Sequence, residues 1–254
     1  MTIRTSLVRL AKAAAAFAVA GVGAWSHAHG ATPRAEIQIG LCGSPADVER
    51  ALKLRQREAP YEVWQFDDAS LTLLERGLRV RLRMKSSRSE LTLKIADQNC
   101  EQLAAGLVPP REGKCEYDVY GAQRTGVVSL NTTLGTKATR ELLAGQLALP
   151  QALSAAQVRY LRDVVGFWPL PDDVLRLGPI KALAYRTKDR TYDVDVNEMP
   201  GGDRYTEITR KVPLADADEA FRTLQAYLAS AGIAECADRS AQAGNKLRAL
   251  LPRR

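Results

Sequence analysis

Residues 78–85 read Leu-Arg-Val-Arg-Leu-Arg-Met-Lys. This strict alternation puts Leu78, Val80, Leu82 and Met84 on one face of a strand and Arg79, Arg81, Arg83 and Lys85 on the other. Four like charges on one strand face repel one another. The chain must therefore set acidic partners, water or an anionic ligand against them. Lys94, near the end of the next apolar run, points the same way.

Similar patterns recur along the chain. Residues 35–42 alternate, with Ile37, Ile39 and Leu41 on one face and Glu36, Gln38 and Gly40 on the other. Further strands are expected at 61–67, 90–96, 114–120, 180–188, 191–197 and 205–212, joined by Gly, Pro, Asp and Ser turns. Ser44-Pro45 opens a helix as N-cap and first-turn proline. Asp68 and Ser70 cap a short helical turn that Gly77 ends. From about 121 to 177 the strand pattern stops, apart from a short segment at 127–134, and helices are expected at 137–147 and 154–165. Helices at 216–230 and 241–250 complete the chain. The expected fold class is α+β: an eight-stranded antiparallel β-barrel or tunnel with helices packed on the outside. Apolar strand faces would lie under those helices and charged faces would point inward, the reverse of an ordinary small barrel. A polar interior of this kind holds a ligand or solvent.

The first 28 residues read as a signal peptide. Arg4, Arg9 and Lys12 precede an apolar run from Ala13 to Trp25, and Ser26-His27-Ala28 offers small residues for cleavage. The run is too short to span a bilayer, so no membrane span is expected after cleavage, and a periplasmic or secreted location follows. Cleavage would remove three basic and no acidic residues, taking the formal charge from +7 to +4. That mild charge gives no reason to expect nucleic acid. The four cysteines, Cys42, Cys100, Cys115 and Cys236, read as two disulfides in an exported chain. Three pairings are possible. Cys100 and Cys115 flank one connection while Cys42 and Cys236 lie near the mature ends, which favours 100–115 with 42–236. Both histidines, His27 and His29, sit at the cleavage junction. The folded domain must therefore work without His-based nucleophilic catalysis or His-ligated metals.

The order Phe66-Asp67, a short helix, Arg-Gly-Leu-Arg-Val-Arg-Leu-Arg at 76–83, a turn, and Leu-Thr-Leu-Lys at 91–94 resembles the core of the CYTH domain, the triphosphate tunnel metalloenzymes. The resemblance spans roughly residues 34–251 and is strongest over 67–94. It implies an eight-stranded tunnel that binds triphosphate, polyphosphate or nucleoside triphosphates, usually with Mg²⁺ or Mn²⁺, and in many members hydrolyses or cyclises them. By that resemblance Arg79, Arg81, Arg83, Lys85, Lys94, Arg186 and Lys246 are the phosphate-binding candidates, and Glu36, Asp195 and Glu207 the metal ligands. Bidentate cations suit phosphate, and carboxylates suit hard divalent ions. The family's first strand carries Glu-x-Glu-x-Lys, where this chain has Glu36-x-Gln38-x-Gly40. Its last carries Glu-x-Glu, where this chain has Glu207-x-Thr209. The basic half of the site is better kept than the acidic half.

Two kinds of function follow. One is an exported tunnel protein for triphosphate or polyphosphate-type anions, acting, if it is an enzyme, as a divalent-metal-dependent triphosphatase-type phosphohydrolase. The other is a non-catalytic anion-binding or structural envelope protein, which needs no cofactor.

Overall fold

The computed structural model describes residues 33–86, 88–103, 108, 111–236 and 243–251, with backbone alone at 243–246. The signal segment expected at 1–28 lies outside the described residues.

The strands are β1 (Arg34–Leu41), β2 (Arg55–Gln56), β3 (Tyr61–Asp67), β4 (Leu78–Met84), β5 (Ser89–Ile95), β6 (Gly113–Tyr120), β7 (Gln123–Leu134), β8 (Leu175–Arg186), β9 (Asp193–Glu198) and β10 (Arg204–Pro213). They pair in the order β3-β4-β5-β7-β6-β1-β10-β9-β8, and β8 returns to β3, closing a nine-stranded barrel; the two-residue β2 is appended to β8. Every pair is antiparallel except β1 with β6. The expected eight antiparallel strands are thus nine in a mixed barrel. The additional strand is β7, which occupies the first part of the span expected to be a helical insertion. Its stretch from Gly126 to Leu130 is buried on both faces, so it lacks the alternation that marks a half-exposed strand.

The helices are α1 (Pro45–Leu52), α2 (Thr72–Glu75), α3 (Thr136–Ala144), α4 (Leu149–Ala152), α5 (Ala155–Tyr160), which runs on into a π-helical turn, α6 (Ala217–Ser230) and α7 (Ala243–Leu250). Leu78, Val80 and Leu82 of β4 and Leu91, Leu93 and Ile95 of β5 pack in one cluster with Leu142 of α3, Leu149 of α4 and Tyr160 of α5. A second cluster joins Ile37 and Ile39 of β1 and Ile208 of β10 to Val48 of α1 and Leu224 and Leu228 of α6. The outward faces of the barrel are therefore the apolar ones. Full burial of such a side chain contributes roughly 1.5–3 kcal/mol, so these helices hold the charged faces inward.

Local capping fixes where β4 starts. Asp67, fully buried at the end of β3, accepts hydrogen bonds from the amides of Asp68, Leu73 and Leu74, and Asp68 accepts from Ser70 and Thr72. Two carboxylates thus satisfy the open N-terminal amides of α2, and the chain turns back into β4 in a set register. Burial pushes the Asp67 carboxyl above its ordinary pKa, opposed by the three amides it accepts from. Two disulfides, Cys42–Cys236 and Cys100–Cys115, complete the framework. The first ties the end of β1 to the segment after α6, where Cys42 N–H donates to Ala234 and Cys236 N–H donates to Gly40.

Asp67→Ala should lower unfolding free energy by about 2–4 kcal/mol in urea, because it strands buried amides. A loss within experimental error would show that the turn does not depend on this carboxylate.

Candidate functional site

The inward faces enclose a cavity of about 370 Å³. Arg79, Arg81 and Arg83 from β4 and Lys94 from β5 form one wall. In register, Arg79 stands opposite Lys94, Arg81 opposite Thr92, and Arg83 opposite Glu90. Across the cavity the β9 and β10 wall carries Asp195 and Glu207, themselves cross-strand partners. Among the described residues, seven Lys or Arg and seven Asp or Glu line the cavity. The tunnel therefore carries both signs, with a row of cations on β4 and β5 and a carboxylate pair on β9 and β10, rather than a uniform anion trap.

Part of this charge is paired. Asp118 of β6 lies 3.6 Å from Arg79 and 3.9 Å from Lys94. Glu116 takes Lys211 at 2.9 Å and also pairs with Lys114, while Lys211 lies 3.9 Å from Glu36. Arg57 holds Asp193 at 3.1 Å. Arg81 and Arg83 differ: among the described residues neither has a carboxylate within 4 Å, and the buried Nε of each lacks a hydrogen-bond partner. The Arg83 guanidinium lies 5.3 Å from the Tyr61 ring centroid.

Burial sets the protonation energetics. It pulls Arg81 down to about 10, with Arg83 and Arg79 adding to the effect. It pulls Lys94 down to about 8; Asp118 opposes the shift, while Arg79 and Arg81 reinforce it. On the other wall burial raises Asp195, Glu207 raises it further, and Arg83, Arg57 and Arg81 act against both. Each wall is thus destabilised by desolvation and by its own like charges.

Not every sequence-derived candidate reaches this cavity. Lys85 bonds to Glu58 and lies beside Tyr61 at a neighbouring hollow of about 170 Å³ lined by Arg83, Lys85, Arg88 and Glu90. Arg186 is held by Asp193 at 2.7 Å and is absent from the cavity lining among the described residues. Lys246 falls on α7 with its side chain outside the described residues, while the adjacent Leu247 lines the cavity. Lys114, Lys211, Tyr120, Thr92, Ser129 and Asn131 line it without having been singled out. Lys211 continues the inward alternation of Glu207 and Thr209, so the sequence did carry its signal. Ser129 and Asn131 lie in the short segment expected at 127–134, where buried residues on both faces obscure which ones point inward.

Of the expected metal ligands, Asp195 and Glu207 are cross-strand neighbours, but Glu36 stands apart from them along β1. Glu36 stands opposite Lys211, whereas Glu207 stands opposite Gly40, four residues or about 13 Å along the strand. Among the described residues, no group of three His, Cys, Asp or Glu is placed to hold a metal ion. The departures Gln38, Gly40 and Thr209 fall on one patch, with Gln38 paired to Thr209 and Gly40 beside them opposite Glu207. Tyr120 Oη donates to Gln38 Oε1. Burial, together with Glu207 and Asp118, raises the Tyr120 pKa, so the hydroxyl keeps its proton.

No protein-family model and no curated protein matches the sequence. Solved structures do. The Hippeastrum adenylyl cyclase candidate HpAC1, described as showing a dominant triphosphatase activity, superposes with a TM-score of 0.53 at 17% identity, over 84% of this chain and 94% of its own. A candidate adenylate cyclase of Bacillus halodurans gives 0.54 at 14% identity, over 80% and 93%. The chain shares the fold of these two structures, a CYTH-like barrel. In this CYTH-like barrel Arg79, Arg81, Arg83 and Lys94 share the inner wall, and the departures Gln38, Gly40 and Thr209 lie together on β1 and β10.

An NMR titration of the lysine ammonium groups, assigned with Lys94→Met, should show Lys94 titrating near pH 8. Asp118→Asn should move it lower still, since Asp118 stabilises the charged form. A Lys94 that titrates at the ordinary lysine value would overturn this electrostatic picture.

Proposed function

We propose that the protein binds a triphosphate- or polyphosphate-type anion in the basic half of the tunnel, and that this binding does not require a divalent metal. One observation carries the reading. Arg81 is a cation desolvated by burial, Arg83 is the next inward residue on its strand, and the Nε of each is a buried donor that no described protein group satisfies. Burying such groups is costly unless they are paired, and a phosphate oxyanion supplies both charge and acceptors. Arg79 and Lys94 flank them, sharing Asp118. Lys85, a candidate from the strand alternation, and Arg186 and Lys246, candidates from the family resemblance, are outside the wall that the described side chains form.

A phosphohydrolase using Mg²⁺ or Mn²⁺ is the second reading. The adjacent carboxylates of Asp195 and Glu207 favour it. With Glu36 engaged by Lys211, two carboxylates would have to serve where the family pattern expects more, and each lost charge weakens attraction for a hard ion.

We further propose that residues 1–28 are a cleaved signal peptide preceding a tunnel domain at 34–251, and that the protein is periplasmic or secreted. Two disulfides support an oxidising compartment. Mass spectrometry of the mature protein should find His29 as its first residue; an intact Met1 in the exported fraction would overturn cleavage.

Calorimetry with tripolyphosphate in EDTA should show binding, and the double variant Arg81→Ala, Arg83→Ala should lose affinity by about 100-fold or more. Failure to bind tripolyphosphate or nucleoside triphosphates, with or without Mg²⁺ or Mn²⁺, would leave a barrel filled by its own ion pairs. Turnover that appears only with metal would establish the second reading.

A further inference from the structure

Among the described residues, four buried side-chain polar atoms lack a hydrogen-bond partner: Arg81 Nε, Arg83 Nε, Thr92 Oγ1 and Thr139 Oγ1. Thr139 lies on α3, but the other three residues line the same wall of the tunnel. Arg81 and Thr92 are direct cross-strand partners, and Arg83 is the next inward position along β4. Thr92 is only 2% exposed, yet its hydroxyl bonds to no described protein group.

Such a hydroxyl is unfavourable, because a buried polar group without a partner forfeits its hydration. Valine would fill the same space on a β-strand without that cost. The two neighbouring orphans are Nε–H groups, which only donate, and the threonine hydroxyl is free to donate with them. Three donors on one patch call for an acceptor-rich partner. A phosphoryl group presents several oxygens and can accept from all three while also neutralising the two arginines.

We infer that Thr92 is a ligand-contact residue, its hydroxyl donating to the same phosphoryl group that the Nε–H groups of Arg81 and Arg83 bind. This rests on the anion-binding reading above and adds a neutral donor to it. The residue lies outside the charged pattern that marks the wall in sequence. Its register partner on β7 is Asn131, another neutral group lining the cavity, so uncharged polar groups continue this row beyond Arg81.

The test pairs affinity with stability. In EDTA, Thr92→Val should bind tripolyphosphate about tenfold more weakly. Its melting temperature without ligand should stay level or rise, because the orphan hydroxyl has gone. Thr92→Ser should recover most of the affinity. Wild-type affinity in Thr92→Val, alongside loss in Arg81→Ala, would overturn the threonine contact and leave the tunnel reading standing. A parallel fall in melting temperature and affinity would assign Thr92 a structural role and sink the inference. A wild-type protein that does not bind tripolyphosphate would remove both readings.

Discussion

The constraint on which the structure depends is the confinement of like charges on the inside of a closed barrel. Arg79, Arg81 and Arg83 project from one strand into a cavity of about 370 Å³, with Lys94 opposite Arg79. Water is largely withdrawn from them, and their mutual repulsion is screened less than at a surface. The lowered pKa values of Arg81 and Lys94 express that cost. The opposite wall offsets it with acids, but only some come close enough to pair. Asp118 is shared by Arg79 and Lys94, while Asp195 belongs to the other wall beside Glu207. Arg81 and Arg83 are therefore the inward cations that no described carboxylate approaches within 4 Å.

That interior is tenable only because the exterior is apolar and covered. The faces of β4 and β5 that oppose the cations bear Leu78, Val80, Leu82, Leu91 and Leu93, all essentially fully buried under α3, α4 and α5. A one-residue slip in β4 would exchange the two faces, placing arginines under the helices and leucines in the tunnel. Both exchanges are unfavourable, so the register that builds the site is also the one that builds the core. Asp67 reinforces it at the turn before β4 by capping the helix that aims the strand.

What the sequence reveals follows from this economy. β4 is legible because its two environments differ sharply, and residue type alternates with them. The inward faces of β1 and β6 could be read in the same way. β7 could not, since Gly126, Val127, Val128, Ser129 and Leu130 are all buried, with helices on one side and the cavity on the other. Pairings across the barrel were equally hidden. That Lys211 engages Glu36 and Glu116, or that Tyr120 bonds Gln38, depends on ladders joining residues more than eighty positions apart. The cationic wall was therefore visible from local pattern. Its counter-charges, and Thr92 with its missing partner, required the closed barrel.

The clustering of the departures from the family pattern carries the last step. Gln38 and Thr209, where carboxylates were expected, and Gly40, where a lysine was, lie together on β1 and β10, next to Glu207. Scattered losses would have weakened charge all round the tunnel; losses confined to one patch remove a local concentration of carboxylate and leave the remainder in place. The patch is not left vacant, because Tyr120 donates to Gln38 and binds the amide into the wall. Glu36 beyond it is drawn into the Lys211 and Glu116 network. An ion needing several hard oxygens at short range finds fewer charges there, while an oxyanion still meets Arg81 and Arg83 with their donors open. The same barrel thus keeps its row of inward cations on β4 and β5, while the carboxylates on β1 and β10 are fewer than the family pattern expects.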